Sequence, residues 1–487
     1  MKQKINDEDE EEIEKEKREK EKEKRNKSDK QGPKNNNIYI IMTIIVLFVS
    51  FCLYLIFNPF WKGRDKKKDE SFTQTSETNK IQYLILHEPE KELFMSLLHP
   101  QSSLYEGIFD DEKVNDCFES LIKFFTDKNI KVKTVSEALK KNKTALKILA
   151  RDSLKYEIDK SINRSEIKNE NTFQALIDSK NANIDELSDK QLVNVVLTNP
   201  TITLKPSKSN RFAEATSISF KPLGNLAFCR DQQITTPKGI VIGRMNSSQR
   251  NGEHKIMEQV FKNLNFKVIG KNLEEYDKDA FLEGGDYFVV NKDLSMLGVG
   301  YRTTIKAAEF LMERNLLGTR YIALIYNEAD HTDERSHLDT FFNILNDKYA
   351  MVLDFNKLQT TTKTTVERKV FLYDNKARDS NKAIDIANIK DFKYQYGEYK
   401  LIKVYSKLID FLEKDQNTKF KLIKINPEEQ KEQMINYLNI GDNTVISNSP
   451  KLQEKIKESG VHVELVNLDP IIKMGGSIRS ITQVSRY

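Results

Sequence analysis

Residues of the types that bind charged ligands and transfer protons are gathered in six short clusters of the sequence. One cluster of this kind is weak evidence, since a lone arginine is usually a solvated charge and a glycine pair is often only a bend. Here the six clusters follow one another at the ends of predicted strands, which favours a single site. They are NLAFCRD (225–231), RNGE (250–253), LEGGD (282–286), YRTT (301–304), HLD (337–339) and MGGSIRS (474–480).

A repeated pattern of strands and helices must position these clusters. From Ile81 onward, short apolar segments typical of strands alternate with amphipathic helices, and the order ββαβ recurs along the chain in five repeats. GIVIGRM (239–245) opens one repeat and a hairpin turning at 291–293 opens another. Residues from about 137 to 198 interrupt the pattern. Because they are rich in predicted helix and have no strand signal, we interpret them as a helical insertion.

With these motifs in this order, the chain resembles the arginine deiminases of the amidinotransferase, or pentein, superfamily over about residues 81–487. HEPEKELFMSL (87–97) and FDD (109–111) match the opening segment of that family, and GGSIRS (475–480) aligns with its terminal GGxxRC motif. The resemblance implies an α/β fold, namely a five-bladed α/β propeller of ββαβ modules around a central cavity, with a helical insertion. We expect no cofactor and no metal ion.

The resemblance assigns the binding of an arginine side chain to two carboxylates, Asp231 and Asp339. A guanidinium group carries five donors in a fixed fork, so a pocket for it needs carboxylates placed for bidentate hydrogen bonds. The α-carboxylate of the substrate needs positive charge instead. The residues that match this second role are Arg250, Arg302 and Arg479, with Asn225 adding polar contacts.

The residues that match the catalytic roles of the family include one substitution. His337 matches the acid and base that protonates departing ammonia and then activates water, and Glu283 matches the carboxylate that orients it. The family mechanism also needs a cysteine that attacks the guanidinium carbon on the way to citrulline. Ser480 occupies that position. A serine hydroxyl stays un-ionised near neutral pH, whereas a thiol with a pKa of about 8.5 reaches the thiolate form, so attack should be slower by orders of magnitude.

The three cysteines of the chain leave one alternative nucleophile. Cys229 stands two residues before Asp231 and, in an extended segment, points to the same side. The other interpretation of Cys229 is a buried packing residue. Cys117 lies on the apolar stripe of a predicted helix and Cys52 lies in an apolar segment. The small number of cysteines excludes a disulfide framework, and the absence of a CxxC pair argues against structural zinc.

The balance of charge argues against a dedicated nucleic-acid binder. The sequence has 78 Lys and Arg against 73 Asp and Glu, for a net charge of +5. Nucleic-acid binding would need a one-sided basic surface. We therefore expect no nucleic-acid partner.

Residues 38–57 predict a single transmembrane helix. They form 20 consecutive residues without a charge, and a helix of that length spans roughly 30 Å, the thickness of the hydrocarbon core. Eight Lys and Arg in 18–37 against five in 58–77 favour a cytosolic N-terminus; the sequence does not identify the membrane. Residues 1–37 are predicted to be a charged helix or disordered, and residues 58–80 a polar tether, so the folded region is predicted to begin at Ile81.

Three functions remain open from the sequence. The first is a membrane-anchored arginine deiminase-like protein that binds L-arginine or a related guanidinium, with lost or strongly reduced hydrolysis. The second is an active deiminase that uses Ser480 or a relocated thiol. The third is a scaffold subunit of a membrane complex with a relic pocket. Retention of all the charged pocket residues favours the first two, and a homo-oligomer or a membrane-complex partner is compatible with each.

Overall fold

The computed structural model describes residues 71–161, 170–206, 213–358, 367–377 and 391–486, together with Arg18. The chain divides into two compact units, Met1–Lys68 and Asp69–Tyr487, and every described residue except Arg18 belongs to the second. The predicted transmembrane segment lies outside the described residues. Within the described ranges, no helix combines the length and the apolar character needed to cross a bilayer.

Strands form six sheets in the described part of the chain. In chain order the strands are β1 (Ile81–Leu86), β2 (Lys131–Thr134), β3 (Lys155–Ile158), β4 (Pro200–Pro206), β5 (Ala213–Phe220), β6 (Gln233–Thr236), β7 (Gly239–Ile242), β8 (Val268–Gly270), β9 (Tyr287–Asn291), β10 (Leu294–Val299), β11 (Tyr321–Tyr326), β12 (Phe342–Ile344), β13 (Tyr349–Leu353), β14 (Lys369–Asp374), β15 (Gln395–Tyr396), β16 (Tyr399–Tyr405), β17 (Lys421–Ile425), β18 (Leu438–Gly441), β19 (Thr444–Ser447), β20 (His462–Leu465) and β21 (Gln483–Arg486).

The α-helices of the described ranges connect these strands or lie between sheets. They are α1 (Lys91–Leu97), α2 (Asp111–Asp127), α3 (Val135–Lys140), α4 (Lys143–Ser153), α5 (Glu170–Glu186), α6 (Asp189–Thr198), α7 (Glu253–Asn263), α8 (Leu273–Tyr276), α9 (Ile305–Glu313), α10 (Leu408–Lys414), α11 (Pro427–Lys431), α12 (Leu452–Lys455) and α13 (Asp469–Ile472).

Five of the sheets contain the predicted ββαβ unit. In each, an antiparallel strand pair is followed by a helix and by a third strand parallel to the second, as in β6, β7, α7 and β8. The same pairing occurs in β9, β10 and β11, in β12, β13 and β17, and in β18, β19 and β20. The remaining unit combines β21 with β1 and β2, so strands distant in sequence share one sheet. This pairing confirms the repeated pattern.

One of these sheets is larger than the repeat predicts. It has the order β15-β16-β14-β11-β10-β9, so three additional antiparallel strands extend the sheet beyond β11. These strands lie between β13 and β17 in the chain and therefore belong to a long excursion within one repeat. They are not part of the predicted repeat.

The apolar stripe predicted for α2 faces the core. The helix begins after Asp110, whose side chain accepts a hydrogen bond from the backbone N of Lys113 and so satisfies one free N–H of the first turn. The stripe recurs at helical spacing, and its residues are buried together with β1. They are Val114, Phe118, Leu121 and Phe125.

The helical insertion predicted at about 137–198 also contains a strand. Helices α4, α5 and α6 occupy most of it, but β3 lies among them and pairs in parallel with β4, which in turn pairs with β5. Strand β3 has four residues, KYEI, with only two apolar side chains. So short a segment gives no periodic signal, and its partner β4 begins after the predicted end of the insertion.

The predicted tether is wrong in its last ten residues, 71–80, which we call the N-terminal strap. Phe72 is buried, and its ring centroid lies 4.8 Å from that of Phe266. Gln74 forms a bridge with β21, and its backbone N donates to Thr236 O over 3.2 Å. The strap is polar because hydrogen bonds rather than a continuous apolar face hold it in place, so its composition resembles that of a linker.

Candidate functional site

The residues predicted for the site all lie in connections between the strands and helices given above. Several follow or precede strands of different sheets, so the connections of separate units converge on one region. The residues and their connections are Asn225 and Asp231 before β6, Arg250 before α7, Glu283 before β9, Arg302 before α9, His337 and Asp339 before β12, and Arg479 and Ser480 before β21.

Two glycines allow the Glu283 connection to approach its neighbours. A Cβ atom on Gly284 would lie 2.0 Å from Arg230 O, and one on Gly285 would lie 2.8 Å from His337 Cγ. Non-bonded atoms do not approach so closely without strong repulsion. The glycine pair in LEGGD is therefore a steric requirement for bringing Glu283 and His337 together.

Glu283 is the centre of a hydrogen-bonded group. Its Oε2 accepts from Arg302 Nε over 3.0 Å and lies 2.8 Å from His337 Nε2, while its Oε1 accepts from the backbone N of Asn246 over 2.8 Å. Burial acts to raise the pKa of Glu283, but Arg302 and His337 outweigh it and hold the pKa below its ordinary value. The carboxylate is therefore ionised and fixes the orientation of the imidazole ring.

His337 is held as a cation. Burial acts to lower its pKa, but Asp231, Glu283 and Asp286 together raise the pKa to about 9. The side chain of His337 is 12% exposed. A protonated imidazole near neutral pH can donate a proton to a leaving group.

Asp231 is already paired with a guanidinium of the same chain. Its Oδ2 accepts from Arg250 Nη1 over 2.7 Å, and both side chains are buried. Arg250 also donates from Nε and Nη2 to Glu253 Oε2 over 3.0 and 2.8 Å. Burial acts to lower the pKa of Arg250, but Glu253 and Asp231 raise it. Arg250 therefore lies as a cation between two carboxylates.

Asp339 is paired in the same way with Arg479. Its Oδ2 accepts from Arg479 Nη1 over 2.7 Å, and Arg479 Nη2 donates to Glu77 Oε1 over 3.1 Å and to Tyr287 O over 3.0 Å. The guanidinium carbon of Arg479 lies 3.9 Å from the centroid of the Phe288 ring. Asp231 and Asp339, the two carboxylates predicted to bind the substrate guanidinium, thus each bind a guanidinium of the chain. These guanidinium groups belong to Arg250 and Arg479, which were predicted to bind the α-carboxylate of the substrate.

The hydroxyl group of Ser480 is bound by an amide rather than by a base. Ser480 Oγ accepts from Asn436 Nδ2 over 3.0 Å, while Asn436 Oδ1 accepts from the backbone N of Arg479 over 3.1 Å. Among the described residues, no carboxylate or imidazole hydrogen-bonds this hydroxyl. Ser480 is partly exposed, so it is accessible but lacks the adjacent base that would activate a hydroxyl nucleophile.

Two further residues have simpler roles than the alternatives considered from the sequence. Cys229 is fully buried in an apolar cluster, its Sγ lies 3.4 Å from Leu226 O, and burial raises the pKa of its thiol. It is therefore a packing residue. The side-chain Nδ2 of Asn225 donates to Ser103 O over 2.8 Å, and only the backbone carbonyl of Asn225 accepts a hydrogen bond from Arg250.

Three residues in contact with the site have no role in the sequence analysis. Glu253 was part of the RNGE cluster but was given no function, although a carboxylate three residues after an arginine is a detectable pairing signal. Asn436 and Glu77 had no such signal. Asn436 is a single polar residue outside every cluster, and Glu77 lies in the strap that composition assigned to a linker.

The arrangement of Asp231, Glu283 and His337 also has the spacing of a cation site. One oxygen or nitrogen of each lies within 4.8 Å of the others. The residues do not fit a metal ion, however, because Arg250 and Arg302 neutralise the two carboxylates and the raised pKa of His337 keeps a proton on the ring. The chemistry available is guanidinium exchange at the two aspartates and proton donation by His337.

The histidine gives a direct prediction about pH. The His337 imidazole should titrate near pH 9 in ¹³C-edited NMR of the folded protein, instead of near the ordinary value of about 6.5. Glu283→Gln should lower this midpoint by at least about one pH unit, since it removes an adjacent negative charge. Because folding raises this pKa, the stability contributed by His337 is fully present below about pH 6.5 and is lost as pH rises through about 9.

The matched control is Glu258→Gln, which removes a surface carboxylate paired with Lys271 and should leave the midpoint unchanged. A midpoint at or below pH 6.5 in the parent protein would contradict the assignment of His337 as a cation.

Two arginine deiminases are similar to parts of this chain. The arginine deiminase from Pediococcus pentosaceus is 27% identical over 284 residues, which are 56% of this chain and 66% of that protein. The arginine deiminase from Mycoplasma capricolum is 37% identical over 133 residues, 26% of this chain and 33% of that protein. The match thus covers slightly less than two thirds of the first relative and a third of the second.

Solved structures of two other enzymes resemble the chain more distantly. An adduct of dimethylarginine dimethylaminohydrolase with S-methyl-L-thiocitrulline gives a TM-score of 0.43 at 13% identity, covering 84% of this chain and all of that one. The N-terminal domain of a cyanobacterial arginine dihydrolase bound to product gives 0.37 at 17%, covering 58% and 79%. The family model of arginine deiminase matches residues 102–486. This chain belongs to the arginine deiminase family.

Proposed function

We propose that this protein binds L-arginine or a related guanidinium and has lost, or strongly reduced, hydrolysis to citrulline and ammonia. The observation that carries the proposal is the state of Asp231 and Asp339. Both are buried, and each holds a guanidinium of the chain at 2.7 Å. A carboxylate that binds an arginine side chain in this way has the geometry needed for the same group on a ligand.

Binding then proceeds by exchange. The ligand guanidinium takes the place of Arg250 Nη1 at Asp231 and of Arg479 Nη1 at Asp339. Arg250 keeps Glu253 as its partner after the exchange. Arg302 is partly exposed and, with the displaced Arg250, supplies positive charge for the α-carboxylate of the ligand.

The five ββαβ units form, in this proposal, a five-bladed propeller with the ligand at its centre. The pairing of β21 with β1 supports it, since a closed ring needs its first blade to contain strands from both ends of the folded region. The convergence of connections from separate sheets supports a central position for the pocket.

A comparison of two ligands tests the binding site. The full chain in detergent should bind L-arginine roughly 10- to 100-fold more tightly than agmatine, which lacks the carboxylate. Each charged hydrogen bond to that carboxylate contributes to the binding free energy, and agmatine cannot form these bonds. Isothermal titration calorimetry measures both affinities. Asp339→Asn should weaken both ligands, while Asp293→Asn, in the hairpin between β9 and β10, should change neither. Equal affinity for the two ligands, or no heat with either, would mean that the carboxylate site is not formed.

Reduced hydrolysis follows from the surroundings of Ser480. A hydroxyl attacks the guanidinium carbon only if a base removes its proton, and the hydrogen-bond partner found for Ser480 Oγ is the amide of Asn436. His337, which is protonated near neutral pH, is suited to giving a proton rather than taking one. An active deiminase is the alternative. It needs either a base in place of the Asn436 amide at Ser480 Oγ or a His337 that has lost its proton.

Ser480→Cys tests the missing nucleophile. With the remaining groups in the roles proposed for them, a thiolate should restore ammonia and citrulline production to at least roughly 100-fold above the parent rate. Ser477→Cys is the matched control, because it introduces the same thiol three residues earlier at a fully buried position, and it should stay inactive. Citrulline is measured colorimetrically and ammonia by a coupled assay.

Other outcomes of the same experiment distinguish the alternatives. If the parent chain already hydrolyses arginine rapidly and Cys229→Ala abolishes this activity, Cys229 is the nucleophile in place of Ser480. A Ser480→Cys variant that binds arginine without turnover would favour a pocket retained only for binding. A chain that neither binds nor reacts would favour the scaffold subunit.

The proposed localisation is a single-pass membrane protein anchored through 38–57, with a cytosolic N-terminus. The proposal depends on the uncharged 20-residue segment and on the excess of Lys and Arg before it. Removal of residues 1–60 leaves the strap intact and should release the folded unit into the soluble fraction. If the shortened chain still sediments with alkaline-washed membranes, the anchor lies elsewhere.

A further inference from the structure

The N-terminal strap (71–80) connects three sheets of the folded unit. The backbone N of Glu77 donates to Val289 O in β9 over 2.8 Å, and the backbone N of Arg486 in β21 donates to Thr73 O over 2.7 Å. Together with the bond from Gln74 to Thr236 at the end of β6, these contacts fix the strap across the region where the connections converge. The side chain of Glu77 is directed inward and is 3% exposed.

Glu77 is one of two carboxylates that neutralise Arg479. Its Oε1 accepts from Arg479 Nη2 over 3.1 Å, while Asp339 accepts from Nη1 of the same guanidinium over 2.7 Å. Gln74 Nε2 donates to Glu77 Oε1 over 2.7 Å and holds the carboxylate in this orientation. Arg479 is 1% exposed, so water cannot replace either partner.

The exchange proposed above removes one of these partners. When a ligand guanidinium takes Asp339, Arg479 loses its closest counter-ion while it is still buried. An unpaired buried cation loses its hydration without compensation, which opposes the exchange. Binding at Asp339 therefore requires a second anion that stays with Arg479.

We propose that Glu77 is that anion: a positioning residue that retains Arg479 as an ion pair when a ligand guanidinium displaces it from Asp339. This inference rests on the proposed function of the site. It assigns to the strap, which precedes the first strand, a part in ligand affinity in addition to its part in the fold.

The electrostatic surroundings support a permanent charge on Glu77. Burial acts to raise its pKa, but Arg479, Arg486 and Arg230 outweigh burial and lower it. At Asp339 the balance is the reverse, since burial raises its pKa despite Arg479. Of the two partners of Arg479, Glu77 is thus the one held more firmly in the charged form.

The test compares variants of the full chain by calorimetry with L-arginine. Glu77→Gln keeps the size of the side chain and one acceptor oxygen but removes its charge, and should weaken arginine binding at least roughly tenfold. Glu77→Asp restores the charge on a shorter side chain and should bind arginine more tightly than Glu77→Gln does. Phe72→Leu loosens the packing of the same strap without touching the ion pair, and should lower the unfolding temperature but leave the arginine affinity within about threefold of the parent.

Each result has a defined meaning. Glu77→Gln with the affinity of the parent would overturn the inference while leaving the proposed function in place. Equal losses in Glu77→Gln and Phe72→Leu would also overturn it, because strap docking rather than charge would then set the affinity. A Glu77→Asp variant no better than Glu77→Gln, at equal unfolding temperature, would count against the charge as well. No binding by the parent chain would instead refute the proposed function, and the inference with it.

Discussion

Three carboxylates of the site form ion pairs with arginines of the same chain, because a buried ion without a partner would lose its hydration without a compensating interaction. In the proposed function, a ligand enters by exchange with a cation that is already bound. A delocalised, forked cation reproduces the hydrogen bonds of the group it replaces, so the proposed exchange favours a guanidinium ligand over a simple ammonium. The pairs are Asp231 with Arg250, Glu283 with Arg302 and Asp339 with Arg479.

The fold satisfies this constraint within units and between them. Asp231 and Arg250 belong to the unit that begins with β6, and Glu283 and Arg302 to the unit that begins with β9. Asp339 precedes β12, whereas its partner Arg479 precedes β21, which completes the unit of β1 and β2. The two glycines of the Glu283 connection allow its backbone to approach Arg230 O and the ring of His337. No single unit contains the complete set of charges, so the site exists only when the units are packed together.

Local patterns made much of this predictable from the sequence. Strand and helix periodicity is set by neighbouring residues, so the five ββαβ units and the buried stripe of α2 could be derived. The residue types of the site could also be named, because guanidinium binding and proton transfer need particular groups. What could not be derived is the choice of partner. The pairing of Asp339 with Arg479 and the amide at Ser480 depend on contacts between distant segments. The strap was missed because backbone hydrogen bonds, which leave no mark in composition, hold it in place.

The pairing of β1 with β21 has a consequence for how the chain is made. Its registers join residues from opposite ends of the folded region, and Glu77 and Arg479 are 402 positions apart. Contacts that close so long a loop form late in folding. During synthesis the charged groups of the site remain hydrated in separate segments, but β1 keeps one edge open until β21 leaves the ribosome. Between the synthesis of β1 and that of β21, this edge can pair with strands of other nascent chains.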